Sequence, residues 1–197
     1  HSKEAELSMR VADEVWRKYG GSPAFKGWYL SLEVSRKSLS IIDIYRKLGK
    51  HCQGLSNGLP VVISPYIAGR KCVSAFGSEI SRDEGIGIDA HEKDWSEIMA
   101  GISGAVDIVA FQDGHVDFQE LPDYLEVNRR LASKNGLHCW SNAETFDRDM
   151  PIKFLPIKWE KLRLKLEAAE AAKVEKVITF EFSHFLSPHS CYPQAKG

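Results

Sequence analysis

Short runs of consecutive apolar residues alternate along this chain with longer stretches in which apolar residues recur every three or four positions. The first kind suits a strand buried on both faces, the second an amphipathic helix. His1 to Tyr19 has the helical spacing in Leu7, Val11 and Val15, with Ala5, Ala12 and Trp16 alongside, and Gly20-Gly21-Ser22-Pro23 stops it. Phe25 to Val34 reads as a strand. Leu39 to Cys52 reads as a helix, with Ser38 or Ser40 to cap it and Ile41, Ile42, Ile44, Tyr45 and Leu48 on its apolar side. Leu59 to Tyr66 is a second strand, after the turn glycines Gly54 and Gly58. The pattern then repeats: helix His91 to Ile102, strand Val106 to Gln112, helix Leu121 to Lys134, strand Leu137 to Asn142, helix Trp159 to Lys173, strand Lys176 to Phe182. One stretch breaks the rhythm. Ile67 to Ala90 is irregular and rich in Gly and Ser, and loops of that length are usually functional.

Apolar strands separated by amphipathic helices predict an α/β fold with a parallel sheet covered by helices. That leaves a barrel or an open, doubly wound sheet. No G-x-G-x-x-G or P-loop follows any strand, which weakens the nucleotide-binding form of the open sheet. Cys139 lies inside a strand and reads as a small buried hydrophobe. Trp16, Trp95 and Trp159 lie on helices and read as helix-to-sheet packing.

Composition narrows the function little. The 197 residues suffice for one domain with a sizeable core, at 43% hydrophobic and 27% charged. A formal net charge of -1, with only scattered clusters such as Arg36-Lys37 and Arg129-Arg130, gives no reason to expect a nucleic-acid partner. No apolar run approaches the roughly 20 residues of a membrane span. Cys52, Cys72, Cys139 and Cys191 form no C-x-x-C pair, so neither a zinc knuckle nor a thioredoxin motif is expected.

The chemistry gathers where strands stop. Glu33 closes the first strand and Glu144 follows the fourth. Ser64 and Tyr66, then Gln112, Asp113 and His115, then Asn142, and finally Glu181 and His184 fall at the other ends. In an α/β barrel those ends form the catalytic face. Two carboxylates meeting there suit glycoside hydrolysis, which needs one acid and one base or nucleophile. Polar groups for hydroxyls and flat aromatics for sugar faces complete such a site, with Trp28 and Trp140 on strands and Tyr66 at a strand end.

The runs Gly27-Trp28-Tyr29-Leu30, Ile63-Ser64-Pro65-Tyr66, Asp107-Ile108-Val109-Ala110-Phe111-Gln112-Asp113-Gly114 and Thr179-Phe180-Glu181-Phe182-Ser183-His184-Phe185 carry a resemblance. Through them the chain resembles a bacterial family of uncharacterised (β/α)8-barrel proteins regarded as glycoside-hydrolase-like. The resemblance covers most of the chain, and Phe-Gln-Asp-Gly and Phe-Glu-Phe-Ser-His are its most specific pieces. Retaining barrel glycosidases of the larger superfamily place the acid/base after the fourth strand and the nucleophile after the seventh. If the five strands correspond to strands four to eight of a TIM-type barrel, the resemblance puts Glu33 at the acid/base and Glu144 at the nucleophile. Those enzymes usually carry Asn before the acid/base, where this chain has Leu32.

The resulting expectation is a single partial (β/α)-barrel domain over residues 1–197, lacking the first three strands. Its open edges would be covered by the missing N-terminal segment or a second chain. Glu33 and Glu144 are the expected catalytic pair. Tyr66, Asp113, His115, Asn142, Glu181, His184, Trp28 and Trp140 are the expected substrate contacts, on an oligosaccharide or polysaccharide, with no cofactor and no resident metal. Alternatives stay open for several of them. Asp113 and His115 also suit a helix cap, Glu181 a structural partner for Arg or Lys, and Trp28 and Trp140 the barrel core. Two other functions stay open as well: a non-catalytic carbohydrate-binding barrel, and a metal-dependent hydrolase or isomerase using Asp113, His115, Glu181 and His184, whose spacing matches no defined ligand pattern. The resemblance implies a periplasmic, cell-surface or secreted location.

Overall fold

A computed structural model describes residues 2–69, 85–147 and 154–196. Its five-stranded sheet follows from the apolar runs. The strands are β1 (Trp28–Leu30), β2 (Val61–Ile63), β3 (Ile108–Gln112), β4 (His138–Glu144) and, after the short pair β5 (Phe146–Asp147) and β6 (Leu155–Pro156), β7 (Lys176–Phe180). Every neighbouring pair in the sheet is parallel, and the order β1-β2-β3-β4-β7 never reverses. Each new strand adds to the same side. Right-handed crossovers then put every connecting helix on one face, and that is the winding of a barrel rather than of a doubly wound sheet. The five strands with their helices form a partial TIM-type barrel.

The helices are α1 (Ser2–Tyr19), α2 (Leu39–Leu55), α3 (Ile88–Ile102), α4 (Leu121–Lys134) and α5 (Trp159–Ala171). Their ends show local causes. The Ser38 side chain accepts a bond from the Ile41 amide at 3.2 Å and starts α2. Pro122 sits in the first turn of α4, where a missing N–H does no harm. Gly136, at φ 69°, takes the left-handed position that ends α4.

The core lies between helices and the outer face of the sheet. Val61, Ile63, Val109 and Phe111 project outward and are fully buried beneath Trp95, Ile98, Met99, Ile102 and Leu125. Burying a side chain the size of Phe111 contributes roughly 1.5–3 kcal/mol. Trp95 meets it edge to face at 4.6 Å. Cys139 is buried as expected, and its thiol is pushed up to about 12 by burial. Trp159 is not: it opens α5 and is 61% exposed, because the face of α5 that packs inward is Leu162, Lys165, Ala168 and Ala169.

The strands are shorter than their apolar runs. Phe25 to Gly27 and Ser31 to Val34 flank β1 without joining it, since backbone pairing with β2 covers only Trp28 to Leu30. The last strand ends at Phe180, not Phe182. There the Glu181 carboxylate turns to cap the short helix α6 (Phe182–Phe185) and draws the chain out of the sheet. The irregular stretch from Ile67 ends at Ile88, where α3 begins three residues earlier than expected; residues 70–84, with Cys72, lie outside the described residues.

Candidate active site

Alternation along the strands decides which side chains face inward, toward the barrel axis. Residues 28 and 30 of β1, 109 and 111 of β3, and 139, 141 and 143 of β4 face the helices, so Tyr29, Gln112, Asn142, Glu144 and Phe180 share the inner face. They meet at the C-terminal ends of the strands. There they line a cavity of about 680 Å³ with Glu33, Phe146, Phe154, Glu181, His184, Phe185 and Tyr192.

One wall is polar and tied together. Gln112 donates from Nε2 to Glu33 Oε1 at 3.0 Å and to the Ser64 carbonyl at 2.8 Å. Asn142 Nδ2 donates to Ser64 Oγ at 2.8 Å, and that hydroxyl donates to the Ala110 carbonyl at 2.8 Å. Side chains from β3 and β4 thus hold fixed positions at the strand tips. Asn142 Oδ1 is buried with no hydrogen-bond partner among the described residues. Glu33 is exposed on this wall. Glu144 is only 2% exposed, and its carboxylate rests against the Cα of Gly114.

The opposite wall is aromatic. Phe146 packs edge to face on Phe154 at 5.0 Å and on Phe180 at 6.4 Å, and lies 5.3 Å from Phe185. Phe185 stacks on Tyr192 at 5.9 Å. Phe180 remains 57% exposed, so this wall presents flat apolar surface, and Tyr29, 51% exposed, adds an aromatic ring from β1.

Glu181 and His184 reach the cavity from the turn after β7. The Glu181 carboxylate accepts the Ser183 hydroxyl at 2.7 Å, the Ser183 amide at 2.9 Å, the His184 amide at 2.8 Å and the His184 ring nitrogen. The Ser183 hydroxyl contributes most, with the His184 contacts, to holding its pKa down at about 2.

The structure therefore brings Glu33, Glu144, Asn142, Glu181 and His184 together. It places the other expected contacts elsewhere. Trp28 faces the helices, 7% exposed, where its indole N–H donates to Ser56 Oγ at 3.0 Å and its ring meets Phe25 and Trp16. Trp140 faces inward but sits low on β4, beside Lys176, whose Nζ lies 4.3 Å from its ring centre; both line a separate cleft at the N-terminal ends of the strands. Tyr66 and His115 pack against each other at 5.7 Å and do not line the cavity. Asp113 is turned away, buried at 1% exposure and bonded to Lys165 at 2.7 Å. Among the described residues no group of three or more His, Cys, Asp or Glu side chains gathers as a metal site would require, so Asp113, His115, Glu181 and His184 form no such cluster.

Tyr29, Phe146, Phe154, Phe185 and Tyr192 are cavity residues that the strand-end reading passed over. Tyr29 alternates with Trp28, and only the pairing of β1 with β2 sends Trp28 to the helices and Tyr29 to the cavity. Phe146 and Phe154 carried no signal: they come from the β5–β6 pair and its flank, where two-residue strands leave no periodicity to read.

The comparisons agree with this architecture. A crystal structure described as that of a "putative alpha-L-fucosidase" from Bacteroides thetaiotaomicron VPI-5482 superposes with a TM-score of 0.88 at 53% identity, covering 94% of this chain and 57% of that one. The present chain thus spans a little over half the length of that relative, 57%. The PgaB (BpsB) glycoside hydrolase domain of Bordetella bronchiseptica is matched over 97% of this chain and 43% of that one, at 12% identity and a TM-score of 0.39, too low to bear on the fold. No curated protein matches. Residues 2–192 match the family DUF4434, a domain of unknown function. The chain belongs to that family, and the barrel resemblance read from its strand-end motifs is the family's own.

Proposed function

We propose that this protein hydrolyses a glycosidic bond with Glu33 and Glu144 as its paired carboxylates. The observation that carries the reading is their meeting in one cavity, from the ends of β1 and β4, across from an aromatic wall. Glu33 protonates the leaving oxygen while Glu144 attacks the anomeric carbon; the glycosidic bond breaks and a glycosyl ester on Glu144 forms. Glu33 then takes a proton from water as the water displaces Glu144, and both carboxyl groups return to their first states. Gln112, which holds Glu33, and Asn142, with its open acceptor, orient hydroxyls. Phe180 and Tyr29 offer stacking surface to the apolar face of a sugar ring. The retaining course follows only from the resemblance to the larger superfamily of barrel glycosidases and requires the carboxyl groups to lie about 5–5.5 Å apart in the complex, against roughly 6.5–9.5 Å for inversion. Counting β1 as the fourth strand of a closed barrel belongs to the same proposal. The fucosidase name of the 53% identical relative makes an α-L-fucoside the first substrate to try.

The test uses the full-length protein on a panel of aryl glycosides, α-L-fucoside first, with folded Glu33→Gln and Glu144→Gln beside it. Parent turnover should fall about 10²–10⁴-fold in Glu33→Gln, and further in Glu144→Gln. Turnover that survives both replacements sinks the assignment. One feature favours a second reading, a binding barrel without catalysis: Leu32 stands where retaining glycosidases carry Asn, and its backbone carbonyl is taken by the Tyr45 hydroxyl at 2.5 Å. A parent that binds oligosaccharide but cleaves none of the panel selects that reading.

A further inference from the structure

Behind Glu144, on the helix side, lies a buried ion pair that the chemistry above does not use. Lys165 projects from the middle of α5 and is only 4% exposed, among Leu162, Ala168 and Ala169. An ammonium buried there is costly unless its protons are matched. Its Nζ donates to Asp113 Oδ1 at 2.7 Å and to the Glu144 backbone carbonyl at 2.9 Å. Asp113 Oδ1 also accepts the Glu144 amide at 3.1 Å. The pair therefore engages both backbone polar groups of one residue.

The topology explains the need. Pairing of β3 with β4 ends at Gln112 opposite Asn142. Two residues further, Glu144 is still in register with Phe180 of β7, but β3 has no strand left to offer on the other side. The Asp113 carboxylate and the Lys165 ammonium stand in for the missing ladder. On the front, Gly114 leaves room for the Glu144 carboxylate: a Cβ there would come within 2.0 Å of its Oε2.

We propose that Asp113 and Lys165 are positioning residues that lock the backbone of Glu144 and so aim its carboxylate into the cavity, an inference that rests on reading Glu144 as the nucleophile. Neither residue touches substrate. Asp113, expected from the sequence to hold a hydroxyl, acts instead through Glu144. Lys165, a buried charge on α5, is its partner.

The experiment pairs Asp113→Asn with Lys165→Met in the full-length protein. Removing both charges together avoids leaving one buried and alone, so the double variant folds where single ones need not. Its crystal structure should show the Glu144 carboxylate displaced from Gly114 or spread over more than one position. On the aryl glycoside that the parent cleaves, kcat should fall about 10²-fold, the scale of a 1 Å misplacement, with KM little changed. In a Glu144→Gly background, turnover supported by azide should not respond to the double replacement, because the aimed group is already gone. An unmoved Glu144 carboxylate, or an equal loss of azide-supported turnover, overturns the proposal. Full turnover by Glu144→Gln would instead sink the catalytic reading, while the crystal structure of the double variant still decides the positioning.

Discussion

At the scale of single residues, the cavity is controlled by close contacts more than by charge count. Gly114 is the sharpest case, because its missing Cβ is the space that the Glu144 carboxylate fills. On the proposed reading of Glu144 as nucleophile, Gly114→Ala should leave the fold in place and lower kcat/KM about 10²-fold by pushing that carboxylate aside. Steady-state kinetics beside a thermal melt would separate the two effects. Glu181 makes a prediction of a different kind. Its folded pKa, about 2, lies below the ordinary 4.5, chiefly through the Ser183 hydroxyl. A depressed carboxylate stabilises the fold above its unfolded pKa and loses that contribution as pH falls through the folded one. Melting temperature should therefore drop between pH 4.5 and 2, and Glu181→Gln should flatten the curve in that window.

At the scale of elements, helix packing on the outer face makes its own demand. His91 on α3 is fully buried against Phe111, Trp95 and Tyr124, with its Nε2 bonded to Asn128 Oδ1 on α4 at 2.7 Å. Burial lowers its pKa from 6.5 to about 4, against the opposing pull of Asn128, Asp94 and Glu92. The unfolded chain takes up a proton first, so stability is complete above pH 6.5 and is lost as pH falls toward 4. The loss amounts to about 3 kcal/mol across that window. Urea titrations of the parent and His91→Gln at pH 7 and pH 4.5 would check it, since the variant should lack this component.

At the scale of the molecule, the sheet is open. Among the described residues neither β1 nor β7 has a second neighbour, and the inner face leaves Tyr29 and Phe180 more than half exposed. Along the outer edge of β1, Leu7 and Val11 of α1 are 61% and 55% exposed, beside a groove of about 490 Å³ that includes Phe25, Leu30 and Leu32. Exposed apolar side chains gathered along one edge are the kind of surface at which contacts form. The chain should bind an apolar dye such as ANS along this groove, and replacing Leu7 and Val11 together by Ser should weaken that binding. Equal dye fluorescence from the parent and the variant would show that this groove is not where the apolar surface is offered.

The amino-acid sequence by itself determined the βα alternation, the parallel sheet and the strand ends at which the polar residues collect. Each of those rests on local spacing: apolar runs in Val106 to Gln112, helical periodicity in Leu121 to Lys134, and Glu33 and Glu144 where two runs stop. Local spacing does not say which way a side chain leaves a strand once the strand is only three to seven residues long. A shift of one residue exchanges the two faces. Register with the neighbouring strands therefore sent Trp28 to the helices and Tyr29 to the cavity, and turned Asp113 away from the cavity toward Lys165, 52 residues on. The aromatic wall was likewise decided only by the tertiary structure. Its members come from β5, β7, α6 and the segments around them, and nothing brings them to one surface except the closing of the chain above the strand ends.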